Sequence, residues 1–472
     1  MASTPTERIG FVRALSRLDA TALVVGSMIG SGIFIVSADI ARLVQSPGLF
    51  LLVWGLSGII TVLGALTFTE LAGMFPRAGG QYVYMREGVS PLVGYLYGWT
   101  FFLVIQTGTI AAVAVAFARF TAVFWPALSP DVLVGVRVEL PSGPIEVGLS
   151  WQRLLALASI LVLTWINVRG VKIAALIQTS LTAAKIASLA ALIVLGVTIG
   201  RNADAVATNF GAGFWPASGI PFDLWPAIGA AMVGSLFAMD AWNNIGFAAG
   251  EMRDPTRDLG FSMVSGVLLV VLLYLLANVA YLLVLPIEAI ADAPQDRVGT
   301  AALQAMFGEP GLYLMALAIM ISTFGCNNGM ILAGARVYYA MAEDGLFFRG
   351  AAKLHPHFRT PARALCFQAL WASVLCLSGT YSQLLDYVII AALLFYLLSA
   401  IGLFLLRRRR PEAERPNLSP GYPWLPAAYL FLTALVVANL LVQKPQYTWP
   451  GLMIVALGVP VYFAWRRYER TH

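Results

Sequence analysis

The sequence predicts an all-α membrane protein with about twelve transmembrane helices, and three observations carry that prediction. The 472-residue chain is 59% hydrophobic and only 11% charged, against roughly 25% charged residues in soluble domains. Apolar runs of about 20 residues or more recur along nearly its whole length, which is what a hydrocarbon core about 30 Å thick demands. The first of these runs is interrupted between Gly26 and Phe34 by three glycines and two serines.

In order, the runs are 17–44, 48–74, 92–124, 151–168, 172–199, 223–250, 260–286, 311–342, 362–379, 381–406, 424–443 and 450–467. Residues 1–16 before the first carry Glu7, Arg8 and Arg13 but no cleavable apolar region ending in small residues, so no signal peptide is expected. Glycine costs roughly 1 kcal/mol relative to alanine in a helix interior, so Gly30-Ser31-Gly32 predicts unwound backbone inside the first span. The loop 125–150 after the third span holds Pro126, Pro130, Pro141 and Pro144, and reads as ordered turns or a small hairpin; 200–222, with Gly211, Gly213 and Pro216, reads likewise. Between those loops the fifth span carries an intramembrane cation, Lys185. The sixth places Asp240, Asn243 and Asn244 in an apolar helix, and an intramembrane Asp costs about 2.5–3.5 kcal/mol on insertion scales. The remaining spans rest on length and apolarity, the tenth ending in the run Arg407-Arg408-Arg409-Arg410.

Twelve alternating spans place about 22 of the 30 Lys and Arg on the side of the N-terminus and about 7 on the other. Both termini are therefore expected in the cytoplasm of a cell (plasma) membrane protein. The net charge of +6 reads as this bias plus contact with anionic membrane lipids, not as a nucleic-acid surface. Cys326, Cys366 and Cys376 lie in or near spans, so no extracellular disulfide framework is indicated. The three histidines occupy loop or terminal positions, so no metal site is expected, and no cofactor is implied. No G-x-x-x-x-G-K-[ST] loop for ATP is present.

Hydrocarbon cannot satisfy the N–H and C=O groups that a broken helix frees, so a break is tolerated only where it lines a polar cavity or binds something. The alternative is that Gly26, Gly30 and Gly32 form a close-packing face between helices. Val25-Gly26-Ser27 of the first span recurs as Val233-Gly234-Ser235 in the sixth, an odd number of crossings later. The second copy is then inverted in the membrane, as in transporters whose site forms where two broken helices meet. A channel would show a continuous polar stripe or filter, and an enzyme a nucleophile with a base or metal set; neither is seen, and the chain reads as a non-enzyme.

An ordered series of motifs carries a family resemblance: Ile29-Gly30-Ser31-Gly32-Ile33-Phe34, Thr69-Glu70-Leu71, Pro76 through Tyr84, Gly98-Trp99, Asn167 to Gly170, Phe237 to Asn244, Glu251 to Pro255, Ala335 to Met341 with Asp344-Gly345, and Pro420 to Pro423. The chain resembles the amino acid–polyamine–organocation (APC) superfamily, and within it is similar to the L-amino-acid transporter (LAT) family. The resemblance implies a LeuT-type fold with five-plus-five inverted repeats and two further helices. One transmembrane domain, 1–472, would hold the first repeat at 17–200, the second at 223–407 and the extra pair at 424–467. Function would be sodium-independent exchange of small or medium neutral L-amino acids by alternating access; the rival reading is proton-coupled symport of cationic amino acids or polyamines. The chain departs from the family pattern at Met239, Ala241 and Gly250, where an aromatic residue, glycine and a second glutamate are common; these positions bear on the side-chain pocket and the inner gate.

An amino acid presents a carboxylate and an ammonium. N–H groups at the start of the half-helix after the first break favour an anion, so Gly30, Ser31 and Gly32 are expected to hold the carboxylate. Carbonyls at half-helix C-termini, of Met28 or Ile29 and of Phe237, Ala238 and Asp240, are the expected acceptors for the ammonium. Asp240 has three readings: a cap on the broken sixth helix, a substrate contact, or a coupled proton site. Phe237 and Trp242 are expected to gate or line the pocket, and Asn243 and Asn328 to bond substrate or backbone. Lys185 lies roughly 20 Å along its helix from the cytoplasmic end. In the superfamily a lysine on this helix replaces a sodium ion between the first and eighth helices. Lys185 matches it, with expected donation to carbonyls near Gly26 or Met28 and to the Ser322-Thr323 region; a permanently charged tether is the other reading. In animal LAT proteins a cysteine after the third span attaches a glycoprotein; residues 126–150 contain none, so no disulfide-linked heavy chain is expected.

Overall fold

In a computed structural model the protein is described over residues 10–140, 143–216, 224–378 and 381–471. Residues 1–9 of the expected N-terminal segment, the start of the sixth span at 223, the end of the ninth at 379 and part of the 200–222 loop lie outside this range.

Local signals set the helix starts. Helix α1 (Arg17–Met28) begins at a capping box in which Ser16 and Asp19 satisfy each other's backbone N–H. After the break, α2 (Gly32–Val44) completes the first crossing. Ser46 caps α3 (Pro47–Met74), whose proline occupies the position where a helix needs no N–H. A short α4 (Gln81–Gly88) leads into α5 (Pro91–Thr100), a π-helical turn Phe101–Ile105 and α6 (Gln106–Thr121), together one crossing. The loop beyond forms the expected hairpin, β1 (Val134–Leu140) antiparallel to β2 (Gly143–Leu149). Ser150 caps α7 (Trp151–Val168), and α8 (Val171–Thr198) follows.

The loop beyond α8 carries α9 (Ala203–Phe210). The second broken crossing consists of α10 (Trp225–Ala238), an irregular stretch and the single turn α11 (Asn244–Phe247). Asp254 caps α12 (Pro255–Val284). On the far side α13 (Ile287–Ala291) and α14 (Val298–Phe307) precede the longest helix, α15 (Glu309–Glu343). Helices α16 (Ala362–Ser378), α17 (Tyr381–Arg409), α18 (Trp424–Gln443) and α19 (Pro445–Thr471) complete the chain.

Among the described residues, ten helical segments are long and apolar enough to cross a membrane. The two other expected spans are shorter: the sixth stops after 14 residues at its break, and the ninth has 17. Burial separates the helices. The best window of the first crossing is 94% buried, whereas those of α18 and α19 are 28% and 22% buried. The first crossing is thus a core element, and the last two lie at the periphery. Around it, α1 packs on α8, α12 and α15, while α2 packs on α10.

Candidate functional site

The two breaks meet at the centre. Residues 29–31 are non-helical between α1 and α2, and 239–243 between α10 and α11. A Cβ on Gly32 would lie 2.6 Å from the Ala238 Cβ, so only glycine lets the start of α2 approach the end of α10 this closely. Ala241 holds the second break with φ of 68°, a left-handed conformation that costs a residue with a Cβ about 1–2 kcal/mol.

Side chains from distant helices take up the freed carbonyls of the first break. The buried Lys185 Nζ on α8 donates to the Gly26 and Ile29 carbonyls, each at 2.8 Å. Ser322 Oγ donates to Ile29 and Gly30, both at 3.1 Å. The Tyr274 hydroxyl lies between the two breaks, 3.0 Å from the Met28 carbonyl and 3.2 Å from that of Ala238. Cys326 Sγ donates to Ser27 at 3.0 Å.

These partners change several expectations. The Ile29 carbonyl accepts from Lys185 and shares the Ser322 hydroxyl with the Gly30 carbonyl. Lysine donation falls on Gly26 and Ile29, while Met28 is served by Tyr274. Thr323 turns its hydroxyl back to Ile319 and Met320 of its own helix, so Ser322 alone reaches the first crossing. Asn328 is committed to structure: it accepts from Asn167 and donates to Gln178 and the Ala174 carbonyl.

A cavity of about 300 Å³ opens between the breaks, lined by Met28, Gly30, Ser31, Gly32, Phe237, Ala238 and Asp240, with Thr109, Cys326 and Met330 from α6 and α15. Gly32 and Ile33 start α2, so their N–H groups precede its hydrogen-bonding ladder, whereas the Phe34 N–H already donates to Ser31. Trp242 and Asn243 fall outside this cavity. Trp242 packs its ring 5.0 Å from that of Phe68 and 5.3 Å from that of Tyr396, beside a neighbouring, mostly apolar cavity. Asn243 donates to Gln81 Oε1 at 2.6 Å. The Asp240 carboxylate accepts from the Tyr396 hydroxyl at 2.5 Å and from the Ala241 backbone N–H inside the break, while the residue at the start of α11 is Asn243. Tyr274, Tyr396, Gln81 and Thr109 are the participants that sequence reasoning missed. Tyrosines are common in this chain, and no local pattern separates these from the rest.

Ion pairs tie the bundle on both sides of the breaks. On the N-terminal side, Glu251 and Arg336 form a bidentate ion pair with both side chains 1% exposed. The Glu251 carbonyl also accepts from the Leu15 N–H, and the Arg253 N–H donates to the Leu15 carbonyl. On the opposite side, Asp296 in the loop before α14 pairs with Arg42 of α2 at 2.8 Å and with Arg119 of α6 at 3.6 Å.

Two discontinuous helices that meet at a cavity, with ion-pair ties on either side of it, inside a bundle of membrane-length helices, define a multi-pass membrane transporter. The family model described as amino acid permease matches residues 15–464, and the chain belongs to that family. It is 31% identical to the human large neutral amino acids transporter small subunit 2, over 96% of this chain and 81% of that one. It is 29% identical to the serine/threonine exchanger SteT of Bacillus subtilis, over 99% and 100%. To the mouse b(0,+)-type amino acid transporter 1 it is 28% identical, over 99% and 91%. The family and these relatives are transporters, not enzymes.

Proposed function

We propose that the protein exchanges small or medium neutral L-amino acids across the plasma membrane by alternating access, without sodium, with both termini cytoplasmic. The observation that carries this reading is the cavity held between the two helix breaks. Backbone groups of both broken helices line it, with side chains from α6 and α15 around them. The N–H groups that open α2 suit the carboxylate, with Gly30, Ser31 and Gly32 around it. The Met28 and Ala238 carbonyls each keep a lone pair beyond Tyr274 for the ammonium, beside Phe237 and Asp240. Lys185 supplies at the Gly26 and Ile29 carbonyls the positive charge that a sodium ion would otherwise bring. Opening toward the N-terminal side requires parting Glu251 from Arg336 and Leu15 from Glu251. Residues 17–200 and 223–407 then act as the two inverted repeats, with 424–467 outside them. We propose that no heavy chain is attached by disulfide, because residues 126–150 contain no cysteine.

Uptake of labelled L-alanine into sodium-free proteoliposomes tests this. Strong stimulation by unlabelled internal amino acid, without a pH effect, is the expected result. Uptake into empty vesicles driven by an inward proton gradient would replace it with the second reading, proton-coupled symport of cationic substrates. The Asp240 carboxylate at the cavity favours that reading, and saturable arginine uptake lost in Asp240→Asn would support it.

A further inference from the structure

The connection between α15 and α16 is strongly basic. Residues 345–363 carry Arg349, Lys353, Arg359 and Arg363 and no Asp or Glu. The two acids just before it are engaged elsewhere. Glu343 accepts from the Tyr339 hydroxyl at 2.9 Å, and Asp344 accepts from the Tyr82 hydroxyl at 2.8 Å and from Arg86.

Folding gathers this charge at one edge of the bundle. A 3-10 turn, Arg349–Ala352, follows Phe348. The Arg363 guanidinium, from the first turn of α16, lies against it: a Cβ on Gly350 would be 3.3 Å from Arg363 Nη1. Arg349, Lys353 and Arg363 are all exposed. Beside them the surface turns apolar. Phe348, 51% exposed, places its ring 5.5 Å from Phe367 of α16 and 5.5 Å from Trp465 of α19. The Trp465 indole N–H donates to the Gly345 carbonyl at 2.9 Å, which ties the end of α19 to the same connection. Leu370, one turn beyond Phe367, and Phe463 on α19 are 67% and 60% exposed.

Cations at the end of a spanning helix, then aromatic rings, then exposed aliphatic surface is the sequence of layers that a phospholipid presents in reverse. A soluble anion would use the cations alone, whereas the exposed rings and Leu370 suit a ligand that also carries acyl chains. Guanidinium forks match phosphate oxygens, and basic pockets between membrane helices hold anionic headgroups. We propose that this corner, where the ends of α15, α16 and α19 meet, binds an anionic phospholipid. Its phosphate sits on Arg349 and Arg363 with Lys353 nearby, and its chains run past Phe348 along Leu370 and Phe463. The lipid belongs to the cytoplasmic leaflet on the reading that both termini are cytoplasmic; the site is otherwise independent of the substrate reading.

The test uses the full-length protein in neutral detergent with phosphatidylglycerol, phosphatidylcholine or inorganic phosphate added. Phosphatidylglycerol is expected to raise the thermal midpoint by about 3 °C or more over phosphatidylcholine, and inorganic phosphate to leave it unchanged. In the double substitution Arg349→Gln, Arg363→Gln that gain should fall by at least half, whereas Arg408→Gln, Arg409→Gln at the end of α17 should keep it. A gain retained by the first pair, lost equally in both pairs, or reproduced by inorganic phosphate would each overturn the proposal; the last two outcomes would point to diffuse charge and to a soluble anion. Cys366, exposed on α16 one turn after Arg363, supplies a readout that needs no variant. Phosphatidylglycerol is expected to slow its modification by N-ethylmaleimide several-fold relative to phosphatidylcholine, followed by peptide mass spectrometry, and an unchanged rate would also overturn the site. Neither readout uses transport, so a failure here is separate from a failure of the substrate reading.

Discussion

Lys185 and Ala241 each put a measurable strain or charge into the centre of the protein. Lys185 makes two charge-assisted hydrogen bonds to carbonyls of the first break, each worth about 1.5–3 kcal/mol. Lys185→Ala leaves both carbonyls with less than they need, and the initial rate of exchange is expected to fall more than tenfold (about 1.4 kcal/mol). A variant with normal rate and pH profile would reduce Lys185 to a packing role. Ala241 is the opposite case, a residue whose backbone conformation at φ 68° would suit glycine better. Ala241→Gly is expected to raise the thermal midpoint in detergent by about 1–3 °C. A fall would show that the Ala241 methyl contributes more through packing than it costs in strain.

Gates and anchors belong to the scale of elements. The Glu251–Arg336 pair joins the turn after α11 to α15 inside the protein, and breaking such a buried pair from one side costs about 3–5 kcal/mol. Glu251→Gln should therefore favour opening on the N-terminal side, raising several-fold the rate at which a soluble maleimide modifies Cys326, which lines the cavity. Peptide mass spectrometry reads this directly; an unchanged rate would mean that the pair does not hold the gate. The four-arginine run divides in two. Arg407 bonds the fully buried Glu70 at 2.9 and 2.5 Å, whereas Arg408 and Arg409 are exposed. Arg407→Gln is expected to lower the thermal midpoint measurably and the double substitution Arg408→Gln, Arg409→Gln hardly at all. The reverse order would argue that the run acts only through its collective charge.

Glu87, at the end of α4 and outside the spanning segments, pairs with Arg86 of its own helix at 2.9 Å and ties α4 to the end of α17 through Arg410 at 3.2 Å. Burial alone would raise its carboxyl, but the hydrogen bonds and charges of these arginines hold it below its ordinary value of 4.5. A carboxylate depressed on folding stabilises the protein above its unfolded pKa, and that stabilisation is lost as pH falls through the lower folded value. Below about pH 4.5 the wild type should lose stability more steeply than Glu87→Gln; parallel melting curves for the two proteins would assign this loss to other groups.

At the scale of the whole molecule, the structure has ties on both faces and a cavity between them, the arrangement that alternating access needs. Exchange follows if the two sets of ties do not part together. Weakening the far side with Asp296→Asn, which removes the charge facing Arg42 and Arg119, should bias the protein outward. Labelling of Cys326, which lines the cavity, by a maleimide confined to the far side should then rise in Asp296→Asn and fall in Glu251→Gln. Labelling that moves the same way in both would show that the two faces are not opposed.

Composition and local pattern were enough to determine the membrane class, the order of the spans and the position of both breaks. Each rests on nearest-neighbour chemistry: apolar run length, glycine in a helix, an acid where hydrocarbon forbids one. The hairpin after the third span was legible for the same reason, since prolines mark turns; the Lys185 contact with Gly26 was implied by the family resemblance, not by local pattern. The allocation of those carbonyls was decided only by the tertiary structure. Lys185, Tyr274 and Ser322 reach the first break from 159, 246 and 293 residues along the chain from the carbonyls they bind, Gly26, Met28 and Ile29. Ile29 thereby receives Lys185 and Ser322, while Met28 and Ala238 face only the Tyr274 hydroxyl. Likewise, Asn243 and Asn244 are adjacent in sequence, yet folding commits the first to Gln81 and leaves the side-chain nitrogen of the second without a partner. A local pattern records which groups are freed; which of them remain free depends on side chains that only the packed bundle brings within 3 Å.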